Sequence, residues 1–237
     1  MRKVLTAAAV VGLVVGCGFD DLERAADPGP EATDDLAGAV EINGIQVLPA
    51  VIHPGDPVTL HDPIRPRPGQ PATVYLWDAC GGAIQGADFA RDATWLAPDE
   101  PGLYAVTVNL TNTQRDDPSR VLPLCVVDES EACPSEPTEA PMLDSLTAAP
   151  NSFDQILDCG GSCRTTVEAV VTMPDESAPT YRWRARGGEI EGAGPVVLWL
   201  LPTVGCCTES FTAALTACGA PGTAATRFTN AVVAPGG

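Results

Sequence analysis

Apolar and polar positions alternate in short runs along most of the chain, and Pro and Gly clusters break the runs at the spacing of sandwich turns. Leu103-Tyr-Ala-Val-Thr-Val-Asn-Leu110 alternates well enough to predict a half-buried strand. Further runs rich in Val, Thr, Leu and aromatic residues predict strands at Ile42–Ile52, Pro57–Leu60, Ala72–Trp77 and Val121–Val127. The same signal returns at Met142–Ala148, Thr165–Met173, Thr180–Ala185, Val196–Leu201, Phe211–Ala217 and Thr226–Val233. No helical period competes with it, although Gln85–Arg91 has room for one helical turn. The expected fold class is all-β.

Two stretches interrupt this pattern. Residues 18–39 are rich in Ala, Asp, Glu and Pro and read as a solvated acidic tether. Residues 128–141 (DESEACPSEPTEAP) have the same character and read as a linker. Between and beyond them lie two segments, 40–127 and 142–234, that repeat one another. Tyr75-Leu-Trp77-Asp-Ala-Cys80-Gly81-Gly82-Ala-Ile84-Gln-Gly86 matches Tyr181-Arg-Trp183-Arg-Ala-Arg186-Gly187-Gly188-Glu-Ile190-Glu-Gly192 at an offset of 106 residues. Trp95-Leu-Ala-Pro98 then matches Trp199-Leu-Leu-Pro202 at an offset of 104. A β-rich run follows each, which makes the segments tandem copies of one module. The pattern resembles bacterial immunoglobulin-like and PKD-like domains. The Asp-rich turn of PKD domains is replaced here by Ala-Cys-Gly-Gly and Ala-Arg-Gly-Gly, so the generic immunoglobulin-like form is the closer one. The resemblance implies two tandem immunoglobulin-like β-sandwiches, with Trp77 and Trp183 packed between sheets on a central strand. It implies no ligand, because such folds carry many unrelated functions.

The N-terminus carries an address. Met1-Arg2-Lys3 is a positive n-region, Val4–Val15 an apolar h-region of signal-peptide length, and Val14-Val15-Gly16-Cys17 resembles the bacterial lipobox. That resemblance implies cleavage after residue 16 of a 1–16 signal peptide, diacylglyceryl attachment to Cys17 and acylation of the new N-terminus, with palmitate-type chains. Segment 17–39 then comprises the lipidated Cys and its tether, and the anchor is effectively permanent. Gly18 stands where an Asp would favour inner-membrane retention, so an outer-membrane location is expected.

Charge narrows the partners. Against 31 acidic residues stand 13 basic ones, a net charge of −18. Removal of Arg2 and Lys3 with the signal leaves 11 basic residues and −20. Binding to nucleic acid is excluded by this balance, since phosphate affinity rests on clustered Lys and Arg. Lys3 is the only lysine, so the mature chain has no lysine for Schiff-base chemistry.

With Cys17 lipidated, eight cysteines remain: Cys80, Cys125 and Cys133 in the first module and linker, and Cys159, Cys163, Cys206, Cys207 and Cys218 in the second. Three and five are both odd, so full oxidation within one chain requires at least one bond between the groups. Cys80–Cys125 is expected to close the first sandwich and Cys133 to make the crossing. The adjacent Cys206 and Cys207 are expected to take separate partners. The alternative is a periplasmic metal-binding or thiol-redox protein using Cys159, Cys163, Cys206 and Cys207. Their spacing does not match the tight Cys pairs of zinc ribbons, and the compartment favours disulfides.

Candidate chemistry elsewhere is sparse. His53 and His61, with Asp56 and Asp62, could form a metal pocket, but Pro-Gly-Asp-Pro between them reads more simply as a strand–turn–strand unit. No nucleophile elbow, zinc-protease, P-loop or dinucleotide motif occurs, so no catalytic residue, metal or cofactor is assigned. Arg182, Arg184 and Arg186 alternate with Tyr181, Trp183 and Ala185, which puts three guanidiniums on one face of a strand. They form either a stripe paired with nearby acids or a patch for an anionic ligand. The sequence therefore reads as a membrane-anchored envelope lipoprotein with a non-enzymatic binding, adhesion or scaffolding role. Its expected partners are the membrane, through the lipid anchor, and an envelope protein or polysaccharide.

Overall fold

The computed structural model describes residues 36–64, 72–86, 89–111, 118–128, 139–160, 162–205 and 207–235, and the remainder, with Cys17, Cys133, Cys206 and most of the 128–141 linker, lies outside the described residues. The described residues contain sixteen strands and no helix. In the first module these are β1 (Val40–Ile42), β2 (Ile45–Leu48), β3 (Pro57–His61), β4 (Val74–Cys80), β5 (Ala83–Gln85), β6 (Asp92–Leu96), β7 (Gly102–Thr111) and β8 (Ser119–Val126). The second has β9 (Met142–Ala149), β10 (Ser152–Asp154), β11 (Arg164–Thr172), β12 (Thr180–Arg186), β13 (Glu189–Glu191), β14 (Val196–Leu200), β15 (Glu209–Cys218) and β16 (Ala224–Ala234).

Each module is a two-sheet sandwich of immunoglobulin-like order. In the first, β1-β2-β3-β6-β5 faces β4-β7-β8. Leaving aside the extra strand β1, this is the A-B-E-D against C-F-G arrangement of immunoglobulin constant-type domains. In the second, β13-β14-β11-β9 faces β10-β16-β15-β12. There β10 pairs parallel with β16, and the single parallel bridge Ile52↔Val126 is its counterpart in the first. Each sandwich has its own core. Trp95, Leu60, Val106, Val108, Leu110, Leu122 and Leu124 are buried in one. Trp199, Val167, Val197, Ala213, Leu215 and Val233 fill the other.

The repeated motif has one structural meaning in both copies. The indole N–H of Trp95 donates to the carbonyl of Gly81 (3.0 Å), and that of Trp199 to Gly187 (2.9 Å). The Trp on the sheet opposite behaves likewise: Trp77 donates to Ala90 and Trp183 to Gly194, both at 3.0 Å. A buried indole is thus satisfied at a turn carbonyl while its rings fill the core. The glycine pairs are required sterically. Gly82 and Gly188 have φ of 68° and 78°, and a Cβ at either would strike the backbone carbonyl of Leu96 or Leu200. A Cβ on Gly81 or Gly187 would strike the ring of Tyr104 or Phe211. Tyr104 also donates its hydroxyl to the Glu100 carbonyl (2.9 Å), a tyrosine corner that Phe211 cannot make.

The structure departs from the sequence reading in several places: β5, β6, β10 and β13 fall outside the expected strands, and β4 and β12, which carry Trp77 and Trp183, end their sheets instead of lying centrally. The run Ile42–Ile52 is not one strand: Asn43-Gly44, with φ of 50° and 75°, folds it into the β1–β2 hairpin that this dipeptide favours. The region Gln85–Arg91 contributes a strand end at Gln85, and no helical turn occurs among its described residues. The alternating run 103–110 is a strand, but it is buried on both faces rather than one.

Because Gly188 is confined by backbone as well as by φ, Gly188→Ala should lower unfolding free energy by about 2 kcal/mol or more. Gly194→Ala, where an added Cβ meets nothing within 4 Å, should stay within about 0.5 kcal/mol. Urea titration of the two variants beside the parent checks the difference.

Candidate functional site

The two sandwiches meet through the outer faces of their C-F-G sheets: β4 lies against β12 and β15, β7 against β15 and β16, and β8 against β16. On β4 the inner face carries Tyr75, Trp77 and Ala79 into the first core, so Leu76, Asp78 and Cys80 point the other way. On β7 the outward residues are Leu103, Ala105, Thr107, Asn109 and Thr111, all buried. The second sandwich answers with Thr212, Ala214 and Thr216 of β15, also buried. This interface is small-residue and polar, and its hydrogen bonds are direct. The hydroxyls of Thr107 and Thr216 are 2.7 Å apart, and the Asn109 amide donates to Thr226 Oγ1 at 2.7 Å. Thr226 passes its own proton to the Leu215 carbonyl (2.8 Å), and Ser119 donates to Asn109 Oδ1 (2.7 Å). Leu103 sits so close to the β15–β16 turn that a Cβ on Gly222 would overlap it.

Two stronger links flank this patch. The first is the Cys80–Cys218 disulfide, which joins the end of β4 to the end of β15 across 138 residues. It corrects the expected Cys80–Cys125 pairing: Cys80 is on an outward-facing position of β4, turned to the neighbouring sandwich. One bond does cross between the cysteine groups, but Cys80 rather than Cys133 is the residue seen making it. Cys125 is also disulfide-bonded. In the chain-entropy view a 138-residue loop is worth about 5 kcal/mol, against about 2 kcal/mol for the loop closed by Cys159–Cys163. Joined to each other, Cys159 and Cys163 cannot serve as a pair of thiolate ligands.

The second link is ionic and engages two of the three arginines of the stripe. As the period of two requires, Tyr181, Trp183 and Ala185 pack on the second core while the arginines face out. The acid that Arg182 and Arg184 meet is Asp78 of the other sandwich: Arg182 Nε lies 3.0 Å from Asp78 Oδ1, and Arg184 Nε 3.9 Å. The carboxylate is 4% exposed, whereas the two arginines are 42% and 46% exposed. Asp78 Oδ1 also accepts the Ala79 N–H (2.9 Å), while Oδ2 is buried without a hydrogen-bond partner. Position 78 in the first repeat corresponds to 184 in the second, so the modules meet at equivalent positions that carry opposite charges.

Beside the ion pair a cavity of about 390 Å³ opens between the sandwiches. Its walls come from both repeats at matching positions: Trp77 and Ile84 from one, Trp183 and Ile190 from the other. Tyr75, stacked on Trp77 with ring centroids 6.3 Å apart, deepens the aromatic wall. Phe89 also lines it, at φ 66° and with its side chain exposed. Gln85, Arg184 and Glu189 supply the polar lining.

His53, His61, Asp56 and Asp62 do not gather into one cluster. His61 Nδ1 lies 2.6 Å from Asp92 Oδ1, its cross-strand neighbour on β6, and Tyr75 donates to Asp62 (2.9 Å). His53 Nδ1 lies 2.9 Å from the Val127 carbonyl, while Asp56 accepts the His53 backbone N–H. Among the described residues no cluster of three or more His, Cys, Asp or Glu side chains could hold a metal.

The ion pair is unequal, and that predicts an unequal response. Arg182→Ala strands a buried carboxylate and should cost about 2–3 kcal/mol, whereas Arg184→Ala, more distant and half-exposed, should cost less than about 1 kcal/mol. Thermal or urea unfolding of both single variants and of Asp78→Asn checks the ranking.

No family model matches the chain, and no curated protein matches it. Among solved structures it is similar to the D0-D1 domain of intimin, at 12% identity over 79% of this chain and 95% of that one, with a TM-score of 0.26. It is also similar to InvD of Yersinia pseudotuberculosis, at 14% identity over 80% and 56% of the two chains and a TM-score of 0.26. The ectodomain of mouse nectin-like molecule 4 gives 16% identity, 81% and 64% coverage and a TM-score of 0.28. The chain spans less than two thirds of the latter two. The immunoglobulin-like assignment therefore stands on strand order and on the repeated Trp and Gly-Gly geometry.

Proposed function

We propose that the protein is a lipid-anchored binding protein of the bacterial cell envelope, non-enzymatic, whose two sandwiches form one rigid body presenting the junction cleft to an envelope partner. The observation that carries this reading is the cleft itself, lined by matching residues of both repeats, in a pair of sandwiches that a disulfide and an ion pair also join. Preorganised apolar cavities with a few polar groups are where ligands bind, because the ordering cost is met during folding. Anchoring rests on Val14-Val15-Gly16-Cys17 and the acidic tether that follows.

Two measurements test the two halves of the proposal. In a bacterial host fed alkynyl palmitate, the parent should label and fractionate with membranes, while Cys17→Ser should do neither; equal labelling would remove the anchor. For the cleft, a photo-crosslinking amino acid at Gln85 should give discrete adducts on irradiated cells, and one at Val170, exposed on β11, should not. Equal or absent crosslinking at the two sites would overturn the cleft as the binding surface.

A further inference from the structure

Four strand edges converge on the cleft. β4 and β5 are the last strands of their respective sheets in the first sandwich, and β12 and β13 are the last of theirs in the second. The Gly81-Gly82 and Gly187-Gly188 turns join each pair, so each sandwich brings one rim, with two sheet edges, to the same opening. The β4 edge is partly covered, because Tyr75 N–H donates to the Phe89 carbonyl (3.4 Å) and the Trp77 indole to Ala90 (3.0 Å). Among the described residues, no backbone hydrogen bond reaches β12 from outside its own sheet. An open edge of seven residues is a row of unpaired donors and acceptors ready for another strand.

The cavity beside that edge offers aromatic faces. The indole N–H groups of Trp77 and Trp183 and the hydroxyl of Tyr75 are all spent on internal acceptors. The rings therefore offer faces and no donors. An apolar or aromatic side chain can lie against them, with Gln85, Arg184 and Glu189 left to meet polar groups of the same ligand. Around the edge Arg182 and Arg184 face Asp78, Glu189 and Glu191 stand on β13, and Arg186 makes no ion pair with a described residue.

We propose that the cleft binds an extended peptide segment, which adds to the open edge of β12, places one aromatic or large aliphatic side chain in the cavity, and sets an acidic residue against Arg186. Strand addition supplies affinity through main-chain hydrogen bonds, and the pocket and guanidinium supply selectivity. The inference rests on the reading of the cleft as the binding surface and names its ligand class.

The test is selection from a displayed library of random linear dodecapeptides on the folded, oxidised two-sandwich protein at low salt. Enriched peptides are expected to carry one Trp, Phe, Leu or Ile flanked by Asp or Glu. Their binding should fall about tenfold or more with Gln85→Trp, which fills the cavity mouth, and with Arg186→Glu. Peptides N-methylated at alternate residues should lose binding to a similar extent, and high salt should weaken the parent interaction several-fold. Phe89→Ala serves as a second cleft variant should Gln85→Trp not fold. Failure to enrich, enrichment without the anchor and acids, or indifference to the cleft variants would overturn the peptide proposal. If crosslinking at Gln85 still yields adducts while selection fails, the cleft reading stands and the ligand is of another class, glycan or lipid. If neither occurs, both fall.

Discussion

Strands β4 and β7 are buried on both faces, and the rest of the architecture follows from that. The inner face of their sheet holds the Trp77, Val106 and Leu124 core. On its outer face Asp78, Thr107 and Asn109 are buried away from water. Each of those groups must find a polar partner at the right depth. The partners are Arg182, Thr216 and Thr226, all on the second sandwich. Linker and disulfide keep the modules together, but the polar register decides the angle at which they meet, since sliding one sheet over the other would unpair several buried groups at once.

Tandem duplication gives such an interface a particular problem. Two copies of one face, meeting strand on counterpart strand, bring equivalent residues together, and identical charges there would repel. The repeats differ at that place: Asp78 in one, Arg184 in the other. Similar divergence sets Tyr104 against Phe211, where only the first copy keeps the hydroxyl that ties the corner to Glu100. The modules share a scaffold of Trp and Gly-Gly but have separated their surfaces, so that the pair is a complementary couple rather than two interchangeable beads.

Face-to-face packing of the C-F-G sheets has a consequence at the rim. Strands that end a sheet must be paired, covered or exposed. The Phe89–Ala90 segment covers part of β4, while β12 keeps its edge beside an aromatic cavity. The same docking that satisfies Asp78 thus creates the cleft. Structure and candidate function share one cause, and the cleft does not exist in either sandwich alone.

Local pattern in the sequence determined a great deal: the all-β class, the duplication, most strand positions, the inward face of Tyr181, Trp183 and Ala185, and by parity a disulfide between the two cysteine groups. These are readable because they depend on side-chain periodicity and backbone preference within a few residues. The strands β5, β6, β10 and β13 were not legible; three of them are three residues each, and all are defined by pairing rather than composition. Only the tertiary structure decided that the polar face of β7 is buried, that Cys80 reaches Cys218, that Asp78 takes Arg182, and that Trp77 and Trp183 wall one cavity. Alternation tells which side of a strand is apolar. It cannot tell whether the polar side meets water or another polar sheet, because that depends on how two folded bodies dock across more than a hundred residues of chain.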